Sequence, residues 1–272
     1  MKSLTLLEKQ AANIRRRILV AAHRARSAHI GSALSAVDIL AYLYAGALRF
    51  RAREPNWPNR DRFILSKGHG ALALYATLVE HRFFRGTLLA QYFANGSKLA
   101  GHPVWASAPG IEATTGSLGH GLSLGLGQAL AAKYDKRSYR VFVMLSDGEC
   151  DEGSIWEAAM AASHWKLDNL IAIIDYNKIQ SFGTVKEVMN LEPFREKWRS
   201  FGWSTQEVNG HDFQNLALGF KKIPRVRNKP TVIIAHTVKG KGISFMENTL
   251  TWHYKNLTDE LLAQALQELV TA

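Results

Sequence analysis

Two short apolar runs, residues 141–145 and 170–174, each stop abruptly at a polar cluster, and this pairing constrains the chain more than any other feature. The first run ends at Ser146-Asp147-Gly148 and the second at Asp175-Tyr176-Asn177. Between them, residues 154–166 carry small and apolar side chains at helical spacing. Strand, helix and strand at this length predict a right-handed parallel crossover. Both strand ends then emerge on one edge of a sheet, the edge at which α/β proteins bind ligands. Asp147 and Asn177, far apart in the chain, become neighbours there.

A carboxylate and an amide oxygen are hard ligands that suit Mg²⁺ or Ca²⁺ rather than zinc. Mg²⁺ keeps few protein ligands and also binds phosphate oxygens. Gly148 lets a backbone N–H approach such a phosphate. The local chemistry therefore points to a metal-held phosphorylated ligand. An ordinary structural reading stays equally open at this point, with Asp147 capping the following helix and Asn177 making a turn.

The remaining punctuation describes one α/β domain spanning residues 1–272, with a mainly parallel sheet flanked by helices. Helices are expected over 4–26, 36–44, 71–82, 87–94, 154–166, 192–201, 210–222 and 259–270, the last capped by Thr258. Strands are expected at 62–65, 204–208 and 231–237 besides the central two. The segment 116–133 is rich in Ala, Gly and Leu. Gly121, Gly125 and Gly127 oppose helix formation but permit close packing, so a buried interface helix is expected there. A dinucleotide-binding reading of these glycines is weak, because no strand precedes them and the GxGxxG spacing with its later acidic residue is missing.

Composition excludes several function classes. Hydrophobic residues make up 47% and aromatics 10%, which is globular rather than disordered. The formal charge is +11, yet the basic residues are scattered apart from 15–17 and 221–227, and no nucleic-acid-binding motif accompanies them. The charge reads as solvated faces and attraction for phosphorylated ligands, with nucleic acid a minor alternative. The single cysteine, Cys150, excludes an intrachain disulfide, fits a reducing compartment and has no base partner in sequence. No secretory leader pattern or membrane-length apolar run occurs, so a cytoplasmic location is expected.

Histidines recur beside glycine, proline or loops at His29, His69, His102 and His253. With the central unit they form an ordered series: SAHIGSALS, DRFILSKGHG, AGHP, GIEATTGSLGHG, SDGECDEG, DYNKI, TVKGKG and WH. From about residue 8 to 255 the series resembles the N-terminal, diphosphate-binding domain of the transketolases. The resemblance implies the thiamine diphosphate-binding fold and a cofactor held through Mg²⁺ or Ca²⁺. Asp147 and Asn177 match the side-chain metal ligands, and Ile179 matches the residue whose carbonyl completes them. Gly148 matches a backbone contact to the diphosphate, and Gly116 and Leu118 match contacts to the aminopyrimidine. His29, His69, His102 and His253 match the active-site histidines that move protons at the sugar and hydrogen-bond the cofactor. Glu152 matches a glutamate at the subunit interface. Departures from the family pattern are Ser146, Tyr176, Ala28, Ile30, His120 and Tyr254, which bear on substrate placement more than on cofactor binding.

The pyrimidine-binding and C-terminal domains of a full transketolase have no counterpart in this sequence. The resemblance therefore implies an N-terminal subunit of a split transketolase, working with a separate C-terminal partner and expected as a heterotetramer around two sites. The implied reaction moves a two-carbon ketol unit from a ketose, usually phosphorylated, to an aldose. Three alternatives remain: a 1-deoxyxylulose 5-phosphate synthase-like subunit, which VKGKG also resembles; a non-catalytic cofactor-binding paralogue; and a basic nucleic-acid-binding protein.

Overall fold

A computed structural model describes residues 3–271, so Met1, Lys2 and Ala272 of the expected 1–272 unit lie outside the described residues. Five strands are described: β1 (Arg62–Leu65), β2 (Val141–Ser146), β3 (Leu170–Tyr176), β4 (Ser204–Asn209) and β5 (Thr231–His236). They form one sheet in the order β1-β2-β3-β5-β4, with every pairing parallel. The helices α1 (Leu4–Ala25), α2 (Ile30–Ser35), α3 (Val37–Tyr42), α4 (Ala71–Glu80) and the short α5 (Gly86–Leu89) come first. They are followed by α6 (His120–Tyr134), α7 (Gly153–His164), the short α8 (Val185–Val188), α9 (Phe194–Ser200), α10 (Phe213–Phe220) and α11 (Asp259–Thr271).

The central strands are apolar on both sides because both faces of the sheet are covered, as parallel sheets require. Phe142, Met144, Ile171, Ile173 and Ile233 point into one core with α1, α3, α4 and α10. Val141, Val143, Leu145, Leu170, Ala172 and Ile234 point into a second core with α6, α7 and α9. Alternation within each strand thus feeds two hydrophobic layers. Among the described residues, no helix is long and apolar enough to cross a membrane.

Register and strand order position the site. Ser146 pairs with Asp175 and Asp175 with Ala235, so Asp147 and Asn177 leave adjacent strands side by side. The chain lays down β1, β2 and β3 in sequence, skips a place to β4 at the far edge and returns with β5 between. Such a reversal opens a crevice at the carboxyl ends of the strands.

Three helix expectations change. The helix expected from residue 36 is preceded by α2, which starts at Ile30 directly after His29, held at φ 66°. Gly31 lies inside α2, where only a glycine fits easily, since a Cβ would lie 3.2 Å from Lys239 Cγ. The helix expected over 87–94 shortens to α5, as Phe93 and Gly96 take positive φ values of 62° and 75°. The helix expected from 210 begins at Phe213, because Asp212 Oδ1 accepts the backbone N–H groups of Gln214 at 2.8 Å and Asn215 at 3.1 Å. The expected cap at Thr258 is observed, with Leu261 N donating to its Oγ1 at 3.3 Å.

The glycines of α6 separate by role. A Cβ on Gly121 would overlap Ser66 Oγ and lie 2.8 Å from Ser66 Cα, and one on Gly125 would overlap the Val143 side chain. A Cβ on Gly127 would meet nothing within 4 Å. Two of the three glycines therefore press α6 against the sheet, and the third does not.

Candidate active site

One cavity of about 240 Å³ at the carboxyl edge of the sheet is lined by His29, His69, Gly116, Leu118, Asp147, Gly148, Asn177, Ile179 and His253. Asp147 follows β2, Asn177 follows β3, and Gly116 and Leu118 lie in the loop entering α6. His102 is not among the lining residues; its ring lies 6.4 Å from that of His29. Glu152 is exposed at the start of α7. A Cβ on Gly119 would come within 2.8 Å of the Glu152 Cβ, so the two loops touch.

The two polar strand ends make the ordinary structural contacts and still face the cavity. Asp147 Oδ1 accepts from Gly148 N at 2.8 Å, and Oδ2 accepts from Lys178 N. Asn177 Oδ1 accepts from Ile179 N at 3.2 Å. Asp147 is buried, which pushes its carboxyl up to about 6; the neighbouring Asp175 charge adds to the rise, and the two backbone donors oppose it. A buried carboxylate held this high favours any added cation. Gly148 leaves only backbone at its place, since a Cβ would lie 2.9 Å from Gln180 Cδ. Gly116, at φ 142°, packs equally close, with a Cβ position 3.0 Å from His102 Cδ2.

The histidines cluster against one another. His29 lies 5.6 Å from His69 and 5.0 Å from His253 between ring centroids, and His69 lies 5.9 Å from His253. Local backbone brings His29 there: its N–H donates to His253 O at 2.9 Å, and its left-handed conformation turns the chain into α2. Burial lowers the pKa of all three, helped by the Lys67 and Lys239 charges. His253 falls to about 3, so these imidazoles are neutral at pH 7. Each then offers one donor and one acceptor nitrogen. Lys239 Nζ donates to His253 Nδ1 at 2.9 Å, which leaves the proton of His253 on Nε2.

Beneath the cavity lies an ionic network that sequence reasoning missed. Lys67 and Asp175 form a fully buried ion pair. Asp175 also accepts from Ser35 Oγ at 2.6 Å and from Thr237 Oγ1. Lys67 Nζ reaches Ser32 O at 2.9 Å, and Ser32 Oγ meets His69 Nε2 at 2.9 Å. Glu149, also buried, joins three loops by accepting from Ser66 Oγ, from Gly119 N at 2.9 Å and from Ser146 N at 3.2 Å. Ser146, a departure from the family pattern, returns a bond by accepting Glu149 N at 3.2 Å. The available signal was Asp175, a charge at the end of an otherwise apolar strand, and Lys67 directly after β1.

Lys239 completes the cavity wall. Its Nζ donates to Ile179 O at 2.9 Å and Gln180 O at 3.1 Å. Burial and the Lys67 charge lower its pKa to about 8. Its loop is latched from behind. Asp38, held down to about 2 by Arg15 and His211 against the effect of burial, accepts from Arg15 Nη2 at 2.6 Å and pairs with His211 Nδ1 at 2.7 Å. His211 Nε2 then accepts Val238 N at 2.8 Å, and Arg15 Nε donates to Lys241 O at 3.0 Å.

Residues 7–270 match the family described as transketolase, thiamine diphosphate binding domain. The chain is 44% identical to one of the subunits of the apulose-4-phosphate transketolase of Phocaeicola vulgatus, over 97% of this chain and 93% of that one. It is 41% identical to the 6-deoxy-6-sulfo-D-fructose transketolase subunit SqwG of a Clostridium species, over 97% and 96% of the two chains. The transketolase of Campylobacter jejuni superposes with a TM-score of 0.93 at 30% identity, covering 99% of this chain but 43% of that one. The chain therefore spans less than half of the solved transketolases it matches and nearly the whole of the two subunits. On this footing the chain belongs to the transketolase family and corresponds to its N-terminal, thiamine diphosphate-binding domain.

Proposed function

We propose that this chain is the N-terminal subunit of a two-chain transketolase, which moves a two-carbon ketol unit from a ketose or ketose phosphate to an aldose acceptor. The observation that carries the reading is the meeting, in one cavity, of Asp147, Asn177 and Ile179 with His29, His69 and His253. The near full-length match to two proteins named as transketolase subunits supports a separate C-terminal partner. We place the pair in the cytoplasm as a heterotetramer, with the whole 1–272 chain acting as one cofactor-binding domain.

The residues fit thiamine diphosphate with Mg²⁺ or Ca²⁺. Asp147, Asn177 and the Ile179 carbonyl form an all-oxygen donor set suited to a hard cation. The Ile179 carbonyl gives one lone pair to Lys239 and keeps a second. The tight packing at Gly148 and Gly116 keeps side chains out and exposes backbone where a diphosphate and a ring would lie. When bound, the cofactor supplies the nucleophilic carbon that takes up the two-carbon unit. This chain's part is to hold, orient and move protons. Asp147, Asn177 and Ile179 hold the metal; Gly148 N–H and the Lys239 ammonium face the diphosphate; Gly116 and Leu118 orient the aminopyrimidine. His29, His69, His102 and His253 exchange protons with sugar hydroxyl and carbonyl oxygens, the imidazoles of His29, His69 and His253 being neutral at pH 7. Glu152, exposed beside Gly119, faces the partner chain.

Calorimetric titration of thiamine diphosphate and Mg²⁺, with and without the C-terminal subunit, tests the proposal. Uptake is expected to be tight only with the partner and to vanish in Asp147→Ala. Affinity should weaken below about pH 6 as Asp147 gains a proton and above about pH 8 as Lys239 loses one. Ketol transfer by this chain alone, or no uptake with either preparation, would overturn it. Apulose 4-phosphate and 6-deoxy-6-sulfo-D-fructose, named for the relatives, are the first substrates to try.

A further inference from the structure

Parallel strands bring the loops that enter them to one edge, opposite the active-site cavity. Four such segments, residues 49–62, 133–140, 165–169 and 221–229, lead into β1, β2, β3 and β5, which are consecutive neighbours in the sheet. Together they hold fifteen Lys and Arg against four Asp and Glu. The chain as a whole holds 34 and 23, so all other residues balance at nineteen of each sign. The entire net charge of +11 therefore sits on this edge.

The segments touch and form one surface. Arg49 Nη2 donates to Ser138 O, Arg140 Nη2 to Ala47 O at 2.7 Å, Lys133 Nζ to Lys166 O at 3.0 Å, and Asn228 N to Asp168 Oδ2 at 3.0 Å. A cleft of about 460 Å³ is lined by Arg49, Arg140, Asp168, Asn169, Ile223 and Pro224. Helix dipoles do not account for the charge, because the last turns of α6, α7 and α10 contain only Lys133 and His164 as basic residues. Asp61 and Asp168 are occupied by Arg49, Arg140 and Lys133. Among the described residues, exposed Arg53, Lys136, Arg137, Lys222, Arg227 and Lys229 make no ion pair. Such a concentration of like charge is unfavourable for the free protein and favourable once a polyanion covers it.

Two aromatic rings interrupt the charge on the same edge. Tyr134 is 74% exposed and Trp165 is 50% exposed, each flanked by a lysine in sequence. Exposed rings beside cations are the combination that binds unpaired bases by stacking while the charges follow the phosphates.

We propose that this edge binds single-stranded nucleic acid, independently of the ketol-transfer site on the opposite edge. An anionic membrane would leave the cleft unfilled, and an acidic protein segment would need no rings. The test is fluorescence anisotropy of the full chain with a labelled oligouridylate, longer than the roughly 4–16 nucleotides that such a groove covers. Binding should weaken steeply with salt, with a log–log slope of about −0.7 per phosphate contacted. Arg225→Gln, Arg227→Gln and Lys229→Gln together should flatten the slope by about 2. Tyr134→Ala and Trp165→Ala should each weaken oligouridylate roughly five- to hundredfold and leave inorganic polyphosphate binding unchanged. All these variants should retain the far-UV spectrum and ketol transfer with the C-terminal partner. No binding in about 50 mM salt would overturn the proposal. So would aromatic variants that bind like the parent, or stronger binding to vesicles of anionic phospholipid.

Discussion

Asp175→Asn tests the buried network beneath the cavity most directly. Lys67 and Asp175 are both fully buried, and among the described residues the ammonium has only Asp175 and Ser32 O as partners. Replacing the carboxylate by an amide leaves a buried positive charge with no counterion in contact. Losing one partner of such a pair costs about 3–5 kcal/mol. In a chain of this size that lowers Tm by roughly 6–20 °C. Lys67→Met should cost less, because the Asp175 carboxylate retains Ser35 Oγ and Thr237 Oγ1 as donors. The double variant should recover part of the loss, with a coupling of about 0.5–3 kcal/mol. The sign with pH follows from the lowered pKa of Asp175. The pair's contribution is complete above the ordinary value of 3.8 and fades as pH falls through the lower folded value. Urea titrations of the three variants at pH 7 measure these quantities. A loss below about 1 kcal/mol for Asp175→Asn, or single losses that simply add in the double variant, would refute the reasoning.

Two further outcomes follow from the same geometry. Asp147 has its pKa raised from 3.8 to about 6, so its own contribution to the stability of the metal-free chain should fall by about 2 kcal/mol as pH rises from 4 to 7, against the opposite trend from the depressed His253; the difference between thermal melts of the parent and Asp147→Asn in chelator should show this, and parallel pH profiles would contradict it. In α6, Gly121→Ala drives a methyl into Ser66 and should cost about 1–3 kcal/mol, whereas Gly127→Ala meets open space and should stabilise by about 0.5–1 kcal/mol, both read from urea midpoints; equal effects at the two positions would contradict the packing described for this helix.

The meeting of Asp147 and Asn177 was legible because its signal is local. An apolar strand that stops at Asp147, and a second that stops at Asn177 after a helix-length interval, dictate adjacent strand ends whatever the rest of the chain does. The four histidines were legible through the motifs around them. The start of α2 at Ile30 was not legible because Gly31 can end a helix or admit a neighbour, and only the approach of Lys239 distinguishes the two uses. The stretch near Phe93 failed because helical periodicity says nothing about the positive φ values that end the turn.

By itself the sequence determined the parallel α/β class, the polar strand ends, the histidine motifs and the family they resemble. Only the tertiary structure paired Lys67 with Asp175, aimed Lys239 at Ile179 and His253, and latched the Lys239 loop through Asp38 and His211. It also gathered basic residues that read as scattered along the chain onto one edge of the sheet. The physical reason is common to all of these. Hydrophobic period and turn chemistry act over one element at a time, while a contact between distant elements depends on strand order and register. The skip from β3 to β4 and the return to β5 decide which strand ends meet, and no local pattern encodes that step.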